Sequence, residues 1–346
     1  MSYSSHSLAI FILSEYTFAA SKLTKYDYFR SSPGTLIELV SRSHYGPLYG
    51  LASSPSDPNI FATVGEDKQL LLWDAKKHGQ IAAIVLPELG RSCHFSPDNK
   101  FIAVGLVNGA FCIYAYHQAT SFRNATLQLI KSVHDCVETI DDLKYSPNGN
   151  FLAVASHDNF IDIYDCRDSY NRLSRCKGHT SYITHIDWSR DSQILQSNCG
   201  AYEIIYWDMP SGKPIRSTLD QVEADTDWYS WTCVLGFSVM GIWPEYSDGT
   251  DVNAVHKTAD QKYLVTADDF GKVKVYNAPC VVQHAPAHTY DGHSSHVMNV
   301  RFLLGDKRVV SVGGWDAAAF QWKFVRTNMN TRRKETWKPL TQWKNA

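Results

Sequence analysis

Short runs of alternating apolar and polar residues recur along the chain, separated by clusters of Pro, Asn, Asp and Gly. Period-2 alternation between turn residues predicts antiparallel strands rather than helices. Six runs close on an aromatic: Leu70-Leu71-Leu72-Trp73-Asp74, Phe111-Cys112-Ile113-Tyr114, Ile161-Asp162-Ile163-Tyr164-Asp165, Ile204-Ile205-Tyr206-Trp207-Asp208, Val273-Lys274-Val275-Tyr276-Asn277 and Ala319-Phe320-Gln321-Trp322. The aromatics are separated by 41, 50, 43, 69 and 46 residues. One unit of about 40 to 50 residues therefore repeats. The long interval marks an insertion between Asp208 and Ala254.

Within the unit the order is constant. A His opens it (His44, His134, His179, His293), and the closing aromatic follows after 29, 30, 28 and 29 residues. Between them comes a turn, clearest in Ser96-Pro97-Asp98-Asn99 and Ser146-Pro147-Asn148-Gly149. An apolar run such as Phe101-Ile102-Ala103-Val104 follows. A polar turn residue then stands six before the aromatic: Asp67, Asn108, Asp158 and Asp316.

Gly178-His179 and Gly292-His293, each followed by a spacer and a closing Trp, resemble the WD-repeat pattern of β-propellers. The resemblance implies an all-β ring of four-stranded blades. Six repeats are clear, with room for a seventh, incomplete blade from residues 1–43 and the tail. It further implies that His, turn Asp, a strand Ser or Thr and Trp lock each blade by hydrogen bonds. The lock residues are then His44, Asp67, His134, Asp158, His179, His293, Asp316, Trp73, Trp207 and Trp322. Buried polar groups need partners, so such a set is rigid when complete, and this structural role outweighs a catalytic one. The fourth repeat has Ala201 where the turn Asp is expected. The fifth has Asp268-Asp269-Phe270-Gly271 shifted by one. There the lock is expected to be partial. Thr35 to Val40 is expected as an outer strand completing the last blade.

Longer blocks narrow the resemblance. Trp231-Thr232-Cys233-Val234-Leu235-Gly236-Phe237, Gly241-Ile242-Trp243-Pro244 and Ser247-Asp248-Gly249-Thr250-Asp251-Val252-Asn253-Ala254 resemble signatures of the echinoderm microtubule-associated protein-like (EML) family. So do Ser156-His157-Asp158-Asn159, Asp187-Trp188-Ser189, Asp268-Asp269-Phe270-Gly271-Lys272-Val273, and Gly292-His293-Ser294-Ser295-His296-Val297 with Gly313-Gly314-Trp315-Asp316. The similarity runs from about His44 to Phe324 and corresponds to the C-terminal propeller of that family. It implies tubulin or microtubules as partner, beside other proteins, and a place in the cytoplasm on the cytoskeleton, at a spindle or axoneme. No heptad run for a trimerising coiled coil occurs, so the chain reads as a single-propeller relative or a truncated product.

Composition then limits the classes of function. Hydrophobic residues make up 44% and charged residues 20%, which excludes wholesale disorder. Net charge is −2, which argues against nucleic acid as a partner. The segment Lys323 to Ala346 nevertheless carries seven basic residues and one acid, leaving −8 on the other 322. The expected organisation is an irregular segment 1–33, a propeller 34–324 and a basic tail 325–346. Eight scattered Cys form no C-x-x-C pair, so they read as reduced, buried thiols. The apolar stretch Cys233 to Trp243 falls well short of the ~20 residues that cross a membrane.

No P-loop, H-E-x-x-H or G-x-S-x-G motif occurs, and no catalytic, cofactor or metal site is expected. Cys233 to Trp243 reads as strands of the long fifth unit. Interfaces favour Trp, Tyr and Arg. The candidate partner-binding residues are therefore Trp228, Tyr229, Trp231 and Tyr246 in the insertion, and Arg332, Arg333 and Lys334 in the tail. The function expected is a non-enzymatic microtubule-associated module. The alternative is a WD-repeat scaffold whose protein partner is not tubulin.

Overall fold

Each closing aromatic sits on the third strand of an antiparallel sheet, and six such sheets, five of four strands and the last of five, form the ring of a β-propeller. The computed structural model describes residues 44–325 except 118–124, 217–221, 223–225 and 244–246. It adds the strands Thr17–Phe18, Asp27–Ser32, Thr35–Val40 and Thr336–Pro339. The innermost strands of blades 1 to 6 are Leu48–Ser53, Gly90–Phe95, Ile140–Tyr145, Ile183–Trp188, Val252–Lys257 and Val297–Phe302. The second strands are Ile60–Gly65, Phe101–Leu106, Phe151–Ser156, Ile194–Cys199, Tyr263–Asp268 and Arg308–Gly313.

The turns between these strands share one device. Ser96, Ser146, Ser189 and Thr258 follow the inner strand. Each hydroxyl donates to an Asp or Asn two residues on and accepts the N–H of the residue five on. The fourth turn residue has positive φ at Asn99, Gly149, Ser192 and Gln261. Sequence reading found the first two of these turns. The others lack Pro and are legible only as Ser-x-Asp and Thr-x-Asp.

Apolar side chains from facing blades meet in one cluster per interface. Leu71, Trp73 and Phe61 of blade 1 pack on Val310, Val312 and Leu303 of blade 6, which closes the ring. Asn299 donates across the same junction to the Tyr49 carbonyl at 3.1 Å. A truncation such as Leu71→Ala, fully buried here, removes about 2–5 kcal/mol.

The outer edge of blade 6 departs from expectation. Thr35–Val40 pairs with Asp27–Ser32 in a separate two-stranded sheet. The place assigned to it is filled: Thr336–Pro339 pairs along Trp322–Val325, and Thr17–Phe18 pairs along Ala319–Phe320. Both ends of the chain thus cover one sheet edge that would otherwise stand unpaired.

The insertion also differs. Cys233 to Trp243 forms no strand. It runs through a bend into a 3-10 helix, Phe237–Ile242. Together with Trp228 to Thr232 it is a wedge between blades 4 and 5. Val234, Val239 and Ile242 pack on Val252, Val255, Leu264 and Tyr276 of blade 5. On the blade 4 side, Asp187 accepts bonds from Ser230 Oγ at 2.6 Å and Trp231 N at 2.7 Å. Leu235 N donates to Asn198 Oδ1 at 2.9 Å. The described strands form six blades rather than seven, and the insertion is a non-blade spacer.

Candidate functional site

The blade locks decide which polar residues are free for function. In blade 1, Trp73 Nε1 donates to Thr63 Oγ1 at 2.7 Å. That hydroxyl lies 2.8 Å from His44 Nε2, and His44 Nδ1 lies 2.8 Å from Asp67 Oδ2. Blade 6 repeats the chain through Trp322, Ser311, His293 and Asp316 at 2.8, 2.8 and 2.9 Å. Because the hydroxyl accepts the indole proton, its own proton goes to His Nε2, and Nδ1–H faces the carboxylate. These residues are consumed by structure.

Blade 4 has the same relay through Trp207, Ser197 and His179 at 2.7 and 2.6 Å. Its carboxylate comes from Glu203, with Oε2 at 3.3 Å from His179 Nδ1. The gap read at Ala201 is therefore filled from two residues further on, because a glutamate is one methylene longer than aspartate. Thr180 donates to Glu203 through its backbone N–H and its hydroxyl, both at 2.9 Å. The backbone bond is the main reason that the Glu203 carboxyl falls to about 2. Burial lowers the His179 pKa, with Glu203 opposing, and burial raises that of Cys199.

Blade 3 has no such lock. His134 donates from Nε2 to the Asn108 carbonyl at 2.9 Å, and Asp158 accepts the Phe160 N–H. His134 ends the outermost strand of blade 2 and is exposed, so it cannot reach Asp158. The sequence carries the reason at the relay register, matched strand by strand. Thr63, Ser197 and Ser311 accompany Trp, whereas blades 2 and 3 have Val104 and Val154 with Tyr114 and Tyr164. Without a relay hydroxyl the His has no route to a buried aromatic.

The fifth residue of each innermost strand supplies the waist of the central channel: Ala52, His94, Lys144, Asp187, His256 and Arg301. All but Asp187 line a cavity of ≈ 260 Å³ at the channel mouth beside the wedge. Arg190, Tyr229 and Lys257 complete its rim. Lys144 pairs with Asp142 at 2.9 Å and Arg190 with Asp227 at 2.7 Å. Lys257 donates to the Trp228 carbonyl at 2.6 Å. Arg301 donates to the Val300 carbonyl and makes no ion pair among the described residues. Burial lowers the Arg301 pKa and brings Lys257 down to about 8. Burial beside Lys144 holds His94 at about 3, and burial beside Arg301 holds His256 well below its usual value, so both rings are neutral. Four cationic side chains thus reach a lining whose one carboxylate is Asp306, while Asp142 and Asp227, outside it, pair with three of them and leave Arg301 without an ion pair among the described residues.

The opposite mouth, a cavity of ≈ 220 Å³, is balanced, with Arg91 and Arg301 against Asp141 and Asp142. Arg91 there bonds Asp141 at 2.9 Å and stacks on Tyr49 at 3.7 Å. That mouth is cross-linked between blades.

Of the partner-binding candidates, Tyr229 is exposed at the basic rim, with the Arg190 guanidinium 5.6 Å from its ring. Trp231 is half-buried under Lys257 Nζ at 4.8 Å. Trp228 is corrected: it is 4% exposed and stacked on Tyr206, and offers nothing to a partner. Tyr246, Arg332, Arg333 and Lys334 lie outside the described residues. Sequence reading missed Lys144, Arg190, Lys257 and Arg301. They come from four different blades and converge only when the ring closes. Strand register, which places every fifth inner-strand residue at the waist, is the signal that finds Lys144 and Arg301; Lys257 is the sixth residue of its strand and Arg190 lies in a turn.

Comparison with known proteins fits this architecture. Residues 48–324 match the family model for the echinoderm microtubule-associated protein second beta-propeller. Echinoderm microtubule-associated protein-like 1 of Mus musculus is 42% identical over 289 residues, covering 83% of this chain and 34% of the relative. Echinoderm microtubule-associated protein-like 4 of Homo sapiens is 41% identical over 293 residues, covering 83% and 29%. The chain thus spans about a third of the length of these relatives. A chain in the crystal structure of a mitotic checkpoint complex superposes with a TM-score of 0.60 at 14% identity, covering 85% of this chain and 97% of that one; it shares the fold alone.

Proposed function

This chain belongs to the echinoderm microtubule-associated protein-like family, and on that premise we propose that it is a non-enzymatic microtubule-associated interaction module. Its wedge-side channel mouth meets the acidic surface of the partner. The siting rests on one observation: Lys144, Arg190, Lys257 and Arg301 crowd a cavity whose lining has one carboxylate. Arg301 and the lowered Lys257 are cations held in a desolvated place, where an incoming carboxylate gains more than it would in water. Exposed Tyr229 adds an aromatic anchor at the rim. The outer surface of a microtubule is fringed by acidic tubulin tails, which match this mouth in sign.

The reading places the protein on the cytoskeleton, at a spindle or axoneme. Among the described residues no helix is long and apolar enough to cross a membrane. The basic tail with Arg332, Arg333 and Lys334 is a second point of electrostatic capture. The test is co-sedimentation of the full chain with stabilised microtubules across a salt series. Binding that falls as salt shortens the screening length to ~10 Å at 0.1 M supports the proposal. No pelleting at low salt rejects it and leaves a non-tubulin protein partner.

A further inference from the structure

Cys199 stands where two other locked blades carry glycine. It ends the second strand of blade 4 opposite Ile183, as Gly65 does opposite Leu48 and Gly313 opposite Val297. In blade 6 the glycine is required: a Cβ on Gly313 would stand 2.1 Å from Asp316 Oδ1 and 2.5 Å from His293 Nδ1. A side chain at this register therefore points at the contact between His and carboxylate. Blade 4 puts a thiol there and brings its carboxylate from Glu203.

The outcome is three different donors around one point. His179 Nδ1, Cys199 Sγ and a Glu203 oxygen lie within 4.8 Å of one another. Sγ is 3.2 Å from Glu203 Oε2, and Nδ1 is 3.3 Å from the same oxygen. As hydrogen bonds the first is short for a thiol of this chain and the second long for a lock. Other thiols, those of Cys93, Cys112, Cys136 and Cys233, approach oxygen at 3.6 to 4.0 Å. The Asp locks hold His and carboxylate at 2.8 and 2.9 Å. A tetrahedral zinc ion with ligands at ~2.0–2.3 Å sets them ~3.3–3.5 Å apart. The two spacings to Glu203 Oε2 are close to those values, and Nδ1 and Sγ lie within 4.8 Å of each other.

We infer that His179, Cys199 and Glu203 form a binding site for Zn2+. The mixed nitrogen, sulfur and oxygen donors suit zinc rather than magnesium or calcium. The outer support exists: His179 Nε2 is held by Ser197 Oγ, which the Trp207 indole fixes in turn. Access exists on two sides. Cys199 lines the ≈ 220 Å³ cavity beside Tyr182 and Tyr202, and the Glu203 side chain is 32% exposed. Binding removes the proton from the thiol, leaves Nδ1 unprotonated and takes water as fourth ligand, so metal replaces protons as the staple of blade 4. The inference is independent of the microtubule reading.

The test uses the untagged full chain, stripped with a chelator and titrated with Co2+ and, separately, Zn2+. The expected result is one ion per chain and, with Co2+, a thiolate-to-cobalt charge-transfer band. Cys199→Gly, which restores the residue of blades 1 and 6, should abolish the band. It should also weaken Zn2+ binding more than ~100-fold, beyond the loss of an outer-shell partner. Glu203→Gln should weaken Zn2+ binding while leaving the chelator-treated melt nearly unchanged, and Cys166→Ala should alter neither. Zn2+ should raise the melting temperature of the wild type and not of Cys199→Gly. The inference is overturned by the absence of a thiolate band at saturating Co2+, by a band that survives Cys199→Gly, or by equal Zn2+ affinities of that variant and the wild type.

Discussion

Glu203 accepts the backbone N–H of Thr180 at 2.9 Å, in the place that Asp67 takes for Tyr45 and Asp316 for Ser294. The carboxylate arrives from a different position in the repeat and meets the same backbone group. Three blades therefore share a geometry rather than a residue spacing.

That equivalence sets an order of stabilities. Asp316→Ala leaves buried His293 and the Ser294 N–H without their acceptor and should cost ~1–3 kcal/mol. Glu203→Ala, at a site open to water, should cost about 1 kcal/mol or less. Ala201→Asp should bring no gain, because its task is already done. Urea melts of the three variants in chelator-treated protein check this. A stabilising Ala201→Asp would show that Glu203 does not complete the lock.

The relay hydroxyl predicts a cost for valine–serine exchange in both directions. Ser311→Val strands the Trp322 indole N–H and His293 Nε2 and should cost ~1–3 kcal/mol. Val154→Ser installs the family's hydroxyl in blade 3, yet should also destabilise, since no His or Trp is there to meet it. A neutral melt for both variants would dismiss the relay as a source of stability.

Asp187 should hold the wedge. Its carboxylate takes the Ser230 hydroxyl and the Trp231 N–H, and burial raises its pKa. Asp187→Ala should cost ~1.5–3 kcal/mol, as for hydrogen bonds to a charged group. Hydrogen exchange should then quicken across residues 230–235 while the blade 1 strands stay protected. Uniform loss of protection would mean that the wedge is not a separate unit.

The blade strands were legible because apolar alternation and a closing aromatic recur in every unit, including the units with Tyr in place of Trp. His44, Asp67, His293 and Asp316 were legible because the repeat spacing fixes both partners. Other parts were not. Glu203 breaks the spacing, and Val154 removes a relay that His134 and Asp158 suggested. Cys233 to Trp243 has strand-like composition, but both of its sides are taken by neighbouring blades, so it wedges instead of pairing. Lys144, Arg190, Lys257 and Arg301 carry no local pattern, since ring closure alone brings them together.

Proton binding at Lys257 gives the mouth a pH dependence. Burial lowers this amine to about 8, from an unfolded value near 10.4. Its cationic form is disfavoured by folding, so its contribution to stability rises between pH 8 and ~10.4 and is constant below pH 8. Partner binding should run the other way, because Lys257 loses its charge as pH rises from 7 to 9 through about 8. Microtubule affinity should therefore fall over that interval, and Lys257→Met should flatten the fall. A profile that Lys257→Met leaves intact would remove this residue from the interface.

The most direct measurement is the dissociation constant for microtubule co-sedimentation of Arg190→Glu/Lys257→Met beside the wild type. Both changes lie at the mouth, and neither side chain belongs to a blade lock. The account predicts at least ~10-fold weaker binding with a shallower salt dependence, in a protein with an unchanged far-ultraviolet spectrum. Wild-type affinity and salt dependence in that double variant would contradict it.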